Sequence, residues 1–241
     1  MTWVAWRQHR GQAAAGAAML LGYCLLALGE HRFRRITGAT TSLAVYLPVM
    51  IGVFWGAPLL ARELESGTHQ LAWTQSVTRR RWLAHRLLVA AITGLLLSGA
   101  LTALLTWGVR STARPGPGRF TYFDMHGLVP LAATLFGLAL GTAVGGVLRR
   151  TIWSMGASLA VLILSRPGLE AIRPWYETPL RATPAHRPGP LDWVVANDAG
   201  GLLYQPASRF WAFQGIESGI YLALALCLLA FAFWWTPRRA G

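Results

Sequence analysis

The chain has 241 residues, 54% of them apolar or aromatic and only 13% charged, about half the charged share of a soluble domain. Its net charge of +13 is carried by arginine without a single lysine, which excludes a Walker A loop and ATP hydrolysis by that route. The arginines flank apolar runs instead of covering one face, so headgroup anchoring accounts for the charge and nucleic-acid binding does not.

In chain order, residues 1–10 gather Trp3, Trp6, Arg7 and Arg10, a combination suited to the headgroup layer. They predict a short interfacial helix, with a frayed terminus as the alternative. Residues 11–29 carry no charge and are too long for a signal-peptide core. No small-x-small site follows in Gly29-Glu30-His31-Arg32, so a retained first spanning helix is expected. Its small residues, Ala13 to Ala18, allow a neighbouring helix to approach closely. A second span is expected at 40–61, with Pro48 and Pro58 inside it, a third at 87–109 and a fourth at 128–148. Each is near or above the ~20 residues that cross a ~30 Å hydrocarbon layer. Pro115-Gly116-Pro117-Gly118 separates the third from the fourth. A fifth apolar run, 151–164, stops at Ser165-Arg166-Pro167 and reaches only ~21 Å as a helix. A short span and a re-entrant segment both fit it. Residues 165–213 read as a long polar connection, and 215–235 as the sixth span, closed by Trp234, Trp235, Arg238 and Arg239. Cys24 and Cys227 fall within apolar runs and suit packing roles, without metal or disulfide spacing. The expected fold is all-α: one polytopic membrane domain over 1–241 with about six transmembrane helices.

Arginines divide evenly between the two sides of such a layout, eleven against eleven. On the side of the termini they cluster tightly against helix ends, and such clusters weigh more in setting topology. Both termini are therefore expected in the cytoplasm of a multi-pass cell-membrane protein.

The segment 62–86, RELESGTHQLAWTQSVTRRRWLAHR, is the most polar internal stretch. Gly67 breaks the second helix after Glu63 and Glu65. Residues 68–77 have room for a short helix with Leu71, Trp73 and Val77 as its apolar members, and Thr78 is a plausible N-cap for a helix starting at Arg79. A polar knob held between two spans is something a soluble partner can grip; a plain topological loop is the other reading.

This pattern resembles the permease subunits of ABC-2-type transporters. Their loop between helices 2 and 3 carries an acidic pair, Gly-Thr, a short helix and a Val-(Ser/Thr)-Arg turn. The matching positions are Glu63, Glu65, Gly67, Thr68, Val77, Thr78 and Arg79. Residues 6–10, WRQHR, and 204–217, YQPASRFWAFQGIE, resemble the actinobacterial branch. The very short loop between the first two helices departs from relatives that hold external features there. The resemblance implies a second permease subunit, homodimeric or heterodimeric, and cytoplasmic ATP-binding subunits that drive transport, in the export direction, through the 68–77 helix. It implies no cofactor of the chain's own.

Glu217 is the one acid near the start of the sixth span. An ionisable group at that depth reads as a gate or cargo contact, or as an interfacial carboxylate paired with Arg209. Asp124 and His126 could imitate an acid–base pair, although two polar residues in an external loop are ordinarily solvated. There is no HExxH sequence, and the deep positions hold mostly Ala, Leu, Gly and Val. The competing class, an intramembrane enzyme or membrane-bound scaffold, would need convergent polar residues there.

Overall fold

The computed structural model describes residues 39–65, 79–112, 119–183, 187–198 and 201–239. Among them are five long helices: α1 (Ala39–Glu65), α2 (Arg79–Thr112), α3 (Val129–Leu148), α4 (Thr151–Ile172) and α5 (Phe210–Arg239). All five contain stretches long and apolar enough to cross a membrane, so the chain is an all-α polytopic membrane protein. The interfacial segment expected at 1–10 and the span expected at 11–29 lie outside the described residues.

The bundle is built on α1 and α3. Fifteen of the twenty residues of α3 are buried, and they are mostly small. Gly137, Gly141 and Gly145 repeat every fourth residue and so fall on one face, opposite Gly52 and Gly56 of α1. A Cβ on Gly141 would lie 2.6 Å from the Ala57 amide nitrogen, and one on Gly145 2.7 Å from the Ala57 carbonyl oxygen. Cβ atoms on Gly52 and Gly56 would collide with the backbone carbonyls of Thr134 and Leu138. Two backbones therefore touch along more than two turns. Lipid tails are as apolar as leucine, so such close packing, not escape from water, holds membrane helices together. Polar links add direction. Thr134 Oγ1 lies 2.9 Å from the Pro48 carbonyl across the interface, and Ser98 of α2 donates to the Pro130 carbonyl at 3.3 Å.

The other helices surround this pair and present Leu96, Ile152, Leu164 and Leu226 outward. Cys227 is also exposed, which corrects its expected packing role: it lies on the outer face of α5.

Several boundaries differ from expectation. The fifth run does not stop at Ser165-Arg166-Pro167; α4 continues to Ile172 as a 22-residue helix with Pro167 inside it. Arg166 is accommodated because it meets Glu170 one turn on, at 2.8 Å, and Asp124 at 3.0 Å. The last helix begins at Phe210, five residues early, so the connection expected at 165–213 shrinks to 173–209. Likewise α1 runs through Glu65 and α2 starts at Arg79, leaving 66–78 between them.

The 173–209 connection contains a small antiparallel sheet, β1 (Leu180–Arg181), β2 (Trp193–Asp198) and β3 (Gly201–Gln205), in the order β1-β3-β2. Trp193 pairs with Gln205 in register, and a bulge separates Val194 from Ala196. Trp193 anchors the sheet by stacking on Phe120 at 5.2 Å, within an aromatic cluster that includes Phe123, Phe210 and Phe213.

Candidate functional site

Charged side chains gather at the two ends of the bundle. At one end, Glu63 in the last turn of α1 pairs with Arg86 in the first turns of α2 at 2.7 Å. Both side chains are largely sheltered, and the Arg86 guanidinium covers the Trp82 ring at 4.6 Å. Two turns of adjoining helices are thus clamped where the chain leaves and re-enters the bundle. The Glu65 Oε2 accepts the backbone N–H of Thr151 at 3.0 Å. Arg150, the cap residue of α4, provides no side-chain cap bond, so Glu65 serves as the cap from another helix. The turn from α3 into α4 is tight: Arg149 adopts φ 56° and returns its N–H to the Gly145 carbonyl. Arg79 is the first residue of α2, where the Thr78 cap signal placed it. Gly67, Thr68, Leu71, Trp73 and Val77 lie outside the described residues.

At the opposite end, Glu217 is fully buried in the second turn of α5. It is not paired with Arg209, which meets Glu177 at 2.7 Å instead. The partner of Glu217 is Arg173, just past the end of α4. Its Nε and Nη2 donate to the two carboxylate oxygens, each at 2.7 Å, in a fork-to-fork arrangement. The same guanidinium grips Asp124, with Nη2 at 2.6 Å and Nη1 at 3.1 Å, and lies 4.4 Å over the Phe123 ring. Arg166 reaches Asp124 from one side, and the Tyr176 hydroxyl donates to Glu217 at 3.2 Å from the other. Burial, with the Glu217 carboxylate beside it, pushes the Tyr176 phenol up, so it remains a donor at neutral pH. Two arginines and three carboxylates therefore bind the 119–125 segment, the end of α4 and the head of α5 into one network. Asp124 faces the arginines, while His126 Nδ1 meets Thr106 Oγ1 at 2.8 Å.

Two glutamines extend this network. Gln214 Oε1 accepts the N–H groups of Leu128 and Val129 at 3.0 Å, capping α3, and its Nε2 donates to the Phe123 carbonyl. Gly127 takes φ +75° here, and a Cβ on it would lie 2.7 Å from Gln214 Oε1, so only glycine fits. Gln205 donates to the Pro174 and Glu177 carbonyls, tying β3 to the end of α4.

Sequence reasoning singled out Glu217 and missed Arg166 and Arg173. The signal was present: Arg166, Glu170 and Arg173 follow i, i+4, i+7 spacing, one helical stripe. Pro167, read as a terminator, concealed it.

A family model described as ABC-2 membrane transporter related matches residues 13–173, which include the whole 62–86 segment and end at Arg173. Comparison with curated proteins finds no match.

Proposed function

Because the chain belongs to the ABC-2 membrane transporter related family, a family of multi-pass permeases, we propose that it is the permease of an exporter driven by a separate ATP-binding subunit docked on residues 62–86. The observation that supports this most is the clamp at the base of that segment. Glu63 and Arg86 bind the two helices entering it at 2.7 Å, so a force on 66–78 acts on α1 and α2 together. With no lysine, these 241 residues hold no Walker A loop, so an ATP-driven cycle would draw its energy from a partner. A second permease subunit, identical or related, completes the pathway. Glu217 enters this reading as an anchor of the far end, since both its oxygens are taken up by Arg173 and Tyr176.

In this reading Leu71, Trp73 and Val77 are the apolar anchors offered to the ATP-binding subunit. A tryptophan among aliphatics is typical of an interface hot spot, where truncation costs about 2 kcal/mol. Trp73→Ala should therefore weaken the ATP-binding subunit's Kd about 30-fold, and Leu71→Asp more, with membrane insertion unaffected. Titration of the purified subunit against each variant in detergent measures this. Parent-like affinity in both variants removes 62–86 as the docking element.

The same reading places both termini and 62–86 in the cytoplasm, and the sheet outside. In a background without Cys24 and Cys227, a cysteine at Pro188 should react with an impermeant thiol reagent added to intact cells. A cysteine at Gly67 should react only after the membrane is opened. The reverse pattern would invert the assigned orientation.

A further inference from the structure

We propose that the sheet-side half of α4 is a polar notch in the apolar girdle of the bundle, into which phospholipid headgroups of the adjacent leaflet descend. The outward faces of the helices differ in length. On α5 every described exposed residue from Trp211 to Trp234 is apolar or small, Leu222, Leu224, Leu226 and Phe231 among them. That stretch is about 34 Å of helix. On α2 the same holds from Ala84 to Leu104, about 30 Å. Either face covers a ~30 Å hydrocarbon layer. On α4 the exposed residues are apolar or small only from Ile152 to Leu164, about 18 Å. Ser165, Pro167, Gly168 and Glu170 follow on the outside. The Glu170 side chain is 47% exposed even though it accepts from the Arg166 Nε.

A shift of α4 along the bundle does not account for the difference, because both of its ends are placed. Its first turn follows the exposed Arg149 and Arg150, side chains that belong at a headgroup layer. Its far end is bonded to α5 through Arg173 and Glu217 at 2.7 Å. From that bond, Glu170 lies three residues back along α4, and Trp211 lies six residues outward along α5. Nine residues of helix, about 14 Å, therefore separate the exposed carboxylate from the end of the apolar face of α5. The inner side of α4 is seated on α1 and α3. Arg166 lies 4.9 Å over the Tyr46 ring and 3.0 Å from Asp124, so its charge is turned into the bundle. Glu170 is turned out of it. An exposed carboxylate at hydrocarbon depth is costly, and a bilayer meets a short apolar face by thinning locally. Headgroups bring the water and the ammonium groups that a carboxylate needs, and acyl chains bring neither.

The notch is independent of any ATP-binding subunit, so the chain alone tests it in vesicles of phosphatidylethanolamine and phosphatidylcholine. With Cys24 and Cys227 replaced by serine, a nitroxide is attached to Val161→Cys, Gly168→Cys or Leu222→Cys, one at a time. All three positions are exposed, and a Cβ on Gly168 would meet nothing within 4 Å. Gly168 and Leu222 each lie five residues inward of the Arg173–Glu217 bond, so they are level with each other. Power saturation compares dissolved oxygen, which concentrates among acyl chains, with nickel chelated on a lipid headgroup. At Gly168 the headgroup nickel should relax the label more than oxygen does, and at Val161 and Leu222 the order should reverse. Oxygen dominance at Gly168 would show acyl chains along the whole of α4 and overturn the notch. Nickel dominance at Leu222 as well would show that the bilayer ends below this level on every side, which also overturns it. A Gly168 label reached by a water-soluble nickel chelate but not by headgroup nickel would leave water alone there and overturn the headgroup assignment. A label reached by neither reagent would mean that another helix covers this face, with the same consequence.

Discussion

Arg173→Ala is expected to destabilise the detergent-solubilised protein by about 3–5 kcal/mol, the usual cost of stranding one partner of a buried ion pair. Glu217 is 0% exposed and takes both its short bonds to nitrogen from this guanidinium. After truncation the Tyr176 hydroxyl is the one donor left to it among the described residues. Asp124 would keep Arg166, so the greater part of the loss falls on Glu217. Glu217→Gln should cost less, because a neutral amide is cheaper to bury than an unpaired carboxylate. The decisive comparison is a double-mutant cycle in thermal unfolding. Arg173→Ala should cost much less in the Glu217→Gln background than in the parent, since no buried charge is then left behind. Additive losses would show that the two residues act independently and that the network is not a unit.

Gly141→Leu is expected to disrupt the bundle outright. The first side-chain atom would stand 2.6 Å from the Ala57 nitrogen, and a backbone atom cannot move aside as a flexible side chain can. The two central helices would have to separate, breaking contacts that extend through Gly52, Gly56, Gly137 and Gly145. Overpacking by one methyl costs about 1–3 kcal/mol in a well-packed core, so Gly141→Ala gives a graded loss and leucine a larger one. Gly156→Ala is the matched control: it sits in a helix with open space around it, and alanine is favoured there by up to about 1 kcal/mol. Thermal unfolding and monodispersity in mild detergent should rank Gly156→Ala at or above the parent, then Gly141→Ala, then Gly141→Leu. Equal behaviour of the two alanine variants would contradict the close contact between α1 and α3.

Apolar run lengths revealed four of the five described spans, because a bilayer demands ~20 apolar residues and few other folds do; the fifth was left between a short span and a re-entrant segment. The start of α2 at Arg79 was readable from a single cap residue, Thr78. The glycine ladder was present as Gly137, Gly141 and Gly145, yet its partner could not be read: a four-residue spacing defines a face without saying which helix meets it. Pro167 misled most. Inside a membrane helix proline need not terminate, and treating it as a stop sent Arg166, Glu170 and Arg173 into a loop. With Arg173 misplaced, Glu217 was read as a gate or as the partner of Arg209, and its pairing with Arg173 went unseen. Glu65 was read only as one of the acidic pair within 62–86; its bond to the Thr151 amide, 86 residues away, leaves no trace in composition or periodicity. The sheet was hidden for a related reason, since its strands are only two, six and five residues long among prolines and glycines.

The central claim is that this permease is driven by a separate ATP-binding subunit, and purification of the tagged chain from its native membrane in mild detergent tests it most directly. The account predicts that an ATP-binding subunit co-purifies in stoichiometric amount, and that its ATP hydrolysis in lipid vesicles rises when the permease is present. A preparation free of any ATP-binding protein, active on its own or paired only with other membrane chains, would contradict it.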